Sequence, residues 1–201
     1  MSKIDPAQLA GQVHVAAKAV FTELLRARPT ESFYVFGLWT DDSLQFLHPM
    51  ANSEEALTQQ VRYYQEKVDP KYGITSSDAS LRWSYGDWSG DCDEGGHFDG
   101  INDQLSEFFD LMCDADEDDE ESENAFMDEI NVLINAIASG LKRLDMDGFF
   151  GAGAARDKIT LMIVGDLAPD FVEATVRALN PPAVLERYQQ REKIDHHKKR
   201  N

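Results

Sequence analysis

The stretch LRWSYGDWSGDCDEGGHFDG, residues 81–100, contains the residue types most often used in metal sites. Four of its side chains could act as ligands: Asp91, Asp93, His97 and Asp99. Their spacing partly follows a calcium loop, which also requires an oxygen ligand at its fifth place and a glutamate at its twelfth. Gly95 and Asn102 occupy those places. One histidine among acids does not complete a transition-metal site. We therefore expect no metal and no cofactor.

Nucleophilic chemistry is also poorly supported by the sequence. Cys92 and His97 could form a dyad, but a strongly negative loop disfavours the thiolate. No GxSxG motif occurs. The glycine-rich segment 148–158 lies between a predicted helix and a predicted strand, whereas a dinucleotide-binding loop follows a strand and precedes a helix. We predict no catalytic residues and favour a protein that is not an enzyme.

One alternative site combines indole rings with carboxylates. Its residues lie near a buried aromatic strand or in the stretch quoted above: Trp39, Asp41, Asp42, Trp83 and Trp88. They could line the pocket of an enzyme or of a small-ligand-binding domain, with or without a divalent cation. In the structural interpretation, the tryptophans pack at the edge of the core and the aspartates form a turn. The two interpretations predict a pocket and a filled core, respectively.

The net charge of −18 is concentrated in one region of the chain. Residues 83–141 contain no lysine or arginine and hold about half of the 37 acidic residues, so the remainder is close to neutral. Such a field repels nucleic acid and anionic membranes and favours a basic protein, a polyamine or a divalent cation. The predicted partner-binding residues are Asp87, Asp91, Asp93, Glu94, Asp99, Asp116, Asp118, Asp119 and Glu120.

The chemical groups must be positioned by an α+β fold with the element order αββαβααβαα. Predicted helices cover about 6–27, 53–68, 98–112, 124–145, a segment from 166 or 169 to 179, and 183 onward; predicted strands cover 33–40, 44–49, 80–84 and 158–166. Asp5 and Pro6 predict the start of the first helix, and Asn52 with Glu55 predicts the start of the second. The last strand, KITLMIVGD, is typical of the middle of a sheet.

These elements predict a single domain over residues 1–190, with a small, mainly antiparallel sheet covered by five or six helices. An acidic insert covers 87–123, and a basic, frayed tail covers 191–201. The chain has 201 residues and is 42% hydrophobic, sufficient for a real core. No apolar run approaches the roughly 20 residues of a membrane span. The N-terminus lacks an export signal and the two cysteines lack CxxC spacing, so we expect a cytoplasmic protein with reduced thiols.

Four segments together are similar to one known family: FYVFGLWTDDSLQFLHPMANSEE, LRWSYGDW, DGFFG and RALNPP. They resemble a bacterial family described as domain of unknown function 4303. Tyr85 and Gly86 depart from the proline that commonly follows the serine in that family, and the long acidic insert is a second departure. The resemblance implies small cytosolic bacterial proteins, some encoded near toxin–immunity loci. It implies no activity and no catalytic residues.

The sequence therefore favours a non-enzymatic binding protein that uses an acidic surface to bind a basic protein partner. One form of such a protein is an immunity-type antitoxin that masks a basic effector. The alternative is the enzyme or ligand-binding domain with the tryptophan–aspartate pocket.

Overall fold

A sheet of three strands separates the protein into two layers of helices. Its strands are β1 (Phe33–Thr40), β2 (His48–Ser53) and β3 (Thr160–Gly165), arranged in the order β2-β1-β3. β1 pairs antiparallel with β2 and parallel with β3. The predicted α+β class is confirmed, but the sheet is mixed rather than mainly antiparallel. β1, not β3, is the central strand.

The structure, a computed structural model, describes residues 4–70, 72, 81–88, 92–113 and 120–198, without the side chains of 112, 113, 120–123 and 191–198. In that part of the chain no helix is both long and apolar enough to cross a membrane. The helices are α1 (Pro6–Ala27), α2 (Glu54–Lys67), α3 (Asp99–Cys113), α4 (Glu120–Met146), α5 (Pro169–Leu179) and α6 (Pro182–Lys198). A helical turn at 81–83 and a 3-10 turn at Tyr85–Asp87 complete the described elements.

The start of α1 confirms the sequence prediction. Asp5 accepts a hydrogen bond from the backbone N–H of Ala7 at 2.8 Å, and Pro6 occupies the first helical position. The start of α2 differs by one residue, because Ser53 rather than Asn52 caps it by accepting from the N–H of Ala56 at 3.1 Å. The Asn52 side chain is instead directed into the protein, where it donates to the hydroxyl of Tyr34.

Two predicted strands are wrong in position or in type. The strand predicted over 44–49 lies at 48–53, since Leu44 has a φ of +54° and the Asp41 carboxylate accepts from the N–H of Gln45 at 2.8 Å. These features extend the turn after β1. In the predicted strand at 80–84, residues 81–83 form a helical turn instead. Its Arg82 carbonyl accepts from side chains instead of from a neighbouring strand.

The first core lies between the sheet and the layer formed by α1, α3 and α4. It contains Phe36 and Leu38 from β1 together with Leu161 and Ile163 from β3. α1 and α4 run in the same direction, because Gly140 faces Ala10 while His14 lies 2.9 Å from Asp147. A Cβ at position 140 would lie 2.7 Å from the Ala10 carbonyl oxygen, so glycine permits this close approach.

The second core lies on the opposite face of the sheet, against α2, α6 and the segment 81–88. Val35, Met162 and Val164 enter it from the sheet. Strand alternation alone would place Tyr34 on the same face as Phe36, but the register shifts between Phe33 and Val35. Tyr34 consequently joins the second core while Phe36 remains in the first.

Two asparagine side chains pair with single backbone positions as a neighbouring strand would. The Asn180 amide accepts from the N–H of Leu161 at 2.8 Å and donates to its carbonyl at 2.6 Å, on β3. The Asn102 amide pairs in the same way with Leu47, which precedes β2, at 2.8 and 3.2 Å. Buried Arg156 donates to the Asn180 side chain at 3.3 Å and pairs with Asp145. This network ties the end of α5 to β3.

We predict that Asn180→Ala lowers the free energy of unfolding by about 3 kcal/mol, because it leaves buried backbone groups of Leu161 without partners. Chemical denaturation measures the loss. Asn131→Ala on the exposed face of α4 is the control and should cost much less. Equal losses in the two variants would contradict the role assigned to Asn180.

A second prediction concerns pH. The Glu55 carboxylate accepts from the N–H of Ser32 at 2.7 Å, and this hydrogen bond lowers the pKa of Glu55. A carboxyl whose pKa is lower in the folded state stabilises the fold above its unfolded pKa, about 4.3, and loses that contribution as pH falls through the folded pKa. Glu55→Gln should therefore lower the Tm at about pH 7, with a difference from wild type that shrinks toward about pH 3.5.

Glu66→Gln, an exposed position on the same helix, is the control for this pH series. A Tm difference for Glu55→Gln that stays constant across the range would show that its charge does not contribute to stability.

Candidate functional site

A row of carboxylates follows the outer face of α3. Asp99, Asp103, Glu107 and Asp110 recur at intervals of four, four and three residues, and all four are exposed. We call this row the acidic stripe. The opposite face of α3 carries the buried residues Ile101, Leu105 and Phe108. Helical periodicity therefore separates a face that holds the fold together from a face that is exposed in the described part of the chain.

Several carboxylates of the protein have a positive partner, whereas the acidic stripe has none among the described residues. Glu54 pairs with Arg82 at 2.7 Å, Glu173 pairs with Arg177 at 2.8 Å, and Asp145 pairs with Arg156. None of the four stripe carboxylates forms an ion pair with a residue that the structure describes. The cause is visible in the sequence, which has no lysine or arginine between Arg82 and Lys142.

The arrangement of the stripe carries an energetic cost. Like charges three or four residues apart destabilise a helix by roughly 0.2–0.5 kcal/mol per pair. Negative charge is favourable near a helix N-terminus and unfavourable near its C-terminus, so Asp99 is well placed whereas Asp110 is not. A cationic partner would relieve both effects.

The loop before α3 is fixed by its own hydrogen bonds. The Asp93 carboxylate accepts from the N–H groups of His97 at 2.8 Å and Phe98 at 2.9 Å, and Phe98 is buried. The Nε2 atom of His97 lies 3.0 Å from the Glu23 carboxylate of α1.

Within the described residues, no three histidine, cysteine, aspartate or glutamate side chains come close enough to hold a metal ion.

Asp87 is half-buried and accepts hydrogen bonds from side chains of the protein itself. Its carboxylate accepts from the hydroxyls of Tyr64 and Ser84, each at 2.7 Å, and from the Gln60 amide at 3.1 Å. The hydrogen bond to Asp87, together with its negative charge, raises the pKa of Tyr64. Asp87 thus fixes the segment 81–88 against α2.

The other predicted partner-binding residues lie in different parts of the chain. Glu94 and Asp99 are exposed. Glu120 begins α4, where only the backbone is described. Asp91, Asp116, Asp118 and Asp119 lie outside the described residues. The prediction that this region binds a basic protein therefore remains a prediction, now centred on α3.

The three tryptophans of the alternative pocket all pack against the second core, with Trp39 and Trp83 toward different ends of β1. Trp83 contacts the rings of Tyr34 and Tyr188, at centroid distances of 6.4 and 5.3 Å. Trp39 contacts Phe46 at 4.7 Å and His48 at 6.4 Å. Across the described rings, Trp39 makes no ring contact with Trp83 or Trp88. The Asp41 carboxylate accepts from its own turn, and Asp42 is exposed and accepts from Ser43 at 3.0 Å.

Tyr34 holds the aromatic cluster together. Its hydroxyl donates to the Arg82 carbonyl at 2.9 Å and accepts from the Asn52 amide at 2.9 Å. Trp88 Nε1 donates to the same carbonyl at 3.0 Å, while the Arg82 guanidinium lies 4.3 Å from the centre of the Tyr34 ring. Burial raises the pKa of Tyr34 far above its ordinary value, so the phenol stays neutral. This geometry explains how the aromatic cluster packs.

A family model matches residues 13–181, which include the three strands and the acidic stripe. The chain belongs to the DUF4303 family. DUF4303 is described as a domain of unknown function, so membership confirms the resemblance and assigns no activity. No curated protein and no solved structure matches the chain.

Three stripe residues were not among the predicted binding residues: Asp103, Glu107 and Asp110. The sequence contained the signal that would have identified them. Ile101, Leu105 and Phe108 recur at helical spacing within the predicted helix 98–112, which places the intervening acids on the outer face. Asp87 and Asp93 could not be distinguished in this way, because they lie outside regular helices.

We predict that neutralising the stripe stabilises the protein. The triple variant Asp103→Asn, Glu107→Gln, Asp110→Asn should raise the Tm by about 2–4 °C at low ionic strength, because it removes like-charge repulsion along α3. The gain should shrink as salt screens the charges. Thermal unfolding at two salt concentrations measures it, and an unchanged or lower Tm at low salt would contradict the cost assigned to the stripe.

Proposed function

We propose that the chain is a non-enzymatic binding protein that uses the acidic stripe of α3 to bind a basic protein partner. The observation that carries this proposal is the row of exposed carboxylates without ion-pair partners among the described residues. An immunity-type antitoxin that masks a basic effector is one form of this function.

The electrostatics of the stripe support fast and selective association. A surface of one sign attracts a partner of the opposite sign over a distance set by ionic strength. Complementary charge mainly increases the association rate and excludes partners of the same sign. Lysine or arginine side chains of a partner would also offset the like-charge repulsion described above.

The alternative function as an enzyme or small-ligand-binding domain receives less support from the geometry. Its tryptophans pack against one core, which they help to fill, and the rings of Trp39 and Trp83 make separate aromatic contacts at opposite ends of β1. Its aspartates accept hydrogen bonds from the turn in which they lie. The buried phenol in the cluster, Tyr34, has a raised pKa and is therefore held in its neutral form.

The proposal predicts binding that depends on both the stripe and salt. The immobilised wild-type chain should retain a basic protein from extracts of the native host at about 50 mM salt and release it at about 500 mM. The triple stripe variant should retain at least about tenfold less. The matched control Glu66→Gln, Asp170→Asn, Glu186→Gln removes three exposed acids outside the acidic region and should behave as wild type.

Two results would overturn the proposal. One is the absence of any basic protein in the retained material at either salt concentration. The other is equal retention by the stripe variant and by wild type, which would mean that the carboxylates of α3 do not make the contact.

A further inference from the structure

A surface groove separates α1 from α3. It has a volume of about 470 Å³ and is open to solvent along its length. Ala16 and Ile101 are buried residues at its base, and Gly11, Val15, Gly100 and Gln104 are among the residues along its sides. Glycine and alanine leave room that larger side chains would fill, so the groove is a direct consequence of the local sequence.

The groove is apolar where the surrounding surface is highly charged. Val15 is 67% exposed, the second most exposed of the large hydrophobic residues in the described chain. Leu111 is 37% exposed and lies two helical turns beyond Gln104, on the same side of α3. Of the residues that the structure describes, no lysine, arginine, aspartate or glutamate lines the groove. An exposed apolar strip beside polar residues is typical of a protein–protein contact.

The acidic stripe runs beside this groove. Asp103 directly precedes the lining residue Gln104, and Glu107 follows it by almost one turn. At the end of the groove, His97 lies 3.0 Å from Glu23, which adds another carboxylate. The apolar groove and the negatively charged stripe therefore lie next to each other on one surface.

We propose that the groove binds an amphipathic helical segment of the basic partner. Apolar side chains of that segment occupy the groove, and its lysine or arginine side chains contact Asp103, Glu107 and Asp110. This inference rests on the proposed function and narrows it to one kind of partner, because helices that bind in grooves combine an apolar face with flanking charges. A second copy of this chain is a poor occupant, since it would bring two acidic stripes together.

The test uses two synthetic peptides of about 18 residues, long enough for several helical turns. One has leucine on a single helical face and lysine elsewhere; the other has the same composition in an order that gives no apolar face. Fluorescence anisotropy measures the binding of each to the full chain. The amphipathic peptide should bind at least about tenfold more tightly, because only it can combine the groove with the stripe.

A variant that fills the groove tests the contribution of the groove to binding separately from the contribution of the charges. Gly11→Gln with Ala19→Gln adds side chains without changing charge, and a Cβ at position 11 meets no atom within 4 Å. This variant should weaken binding of the amphipathic peptide at least about tenfold and leave the other peptide unaffected. Asn131→Gln with Val132→Gln, on the exposed face of α4, is the matched control and should bind as wild type. Circular dichroism and thermal unfolding verify that each variant is folded.

The outcomes distinguish this inference from the function on which it rests. If the groove-filling variant binds as wild type while the triple stripe variant loses both peptides, the groove proposal is overturned and the acidic-stripe function stands. If neither variant changes binding, both fail. If sedimentation shows a wild-type dimer that the groove-filling variant abolishes, a second copy occupies the groove and the proposed occupant is wrong.

Discussion

The burial of β1 on both faces is the constraint on which the rest of the structure depends. Phe36 and Leu38 enter one core and Val35 enters the other, so the strand has no side that can face water. Helices must therefore cover the sheet on both faces. One of these layers consists of α1, α3 and α4, whose outer surfaces need not contribute to either core. The acidic stripe lies on such a surface, so its mutual repulsion does not disturb the sheet.

The elements that the sequence predicts well are those whose apolar periodicity continues over many residues or whose ends carry a capping residue or a proline. α1 combines an aspartate cap, a proline and eight buried apolar residues, and its bounds match the prediction. The errors occur where tertiary contacts override local preference. Segment 80–84 has a strand-like composition, yet Tyr34 and Trp88 both donate to the Arg82 carbonyl of its helical turn. Neither the helical nor the strand periodicity of the sequence indicates that the side chains of Tyr34 and Trp88 lie beside the Arg82 carbonyl.

The candidate site likewise has features that the sequence predicts and features that it does not. The region of excess negative charge follows directly from the absence of lysine and arginine over residues 83–141. Which of its carboxylates face solvent does not follow from composition. Asp87 accepts three hydrogen bonds and Asp93 accepts two backbone hydrogen bonds, whereas the acids of α3 remain exposed. The periodicity of α3 identifies the exposed carboxylates. The carboxylates that accept hydrogen bonds, Asp87 and Asp93, can be identified only from the contacts of the folded structure.

The asparagine side chains that pair with Leu161 and Leu47 have a consequence for recognition. Asn180 replaces a strand at one backbone position of β3, which hinders another polypeptide from extending the sheet there, and Asn102 occupies the backbone groups of Leu47 just before β2. Recognition through the helices relies on side chains, whereas strand addition relies on main-chain hydrogen bonds that are largely independent of sequence. Helical contacts can change by substitution while the backbone stays the same. The scaffold can thus change the contacts that its surface offers without refolding.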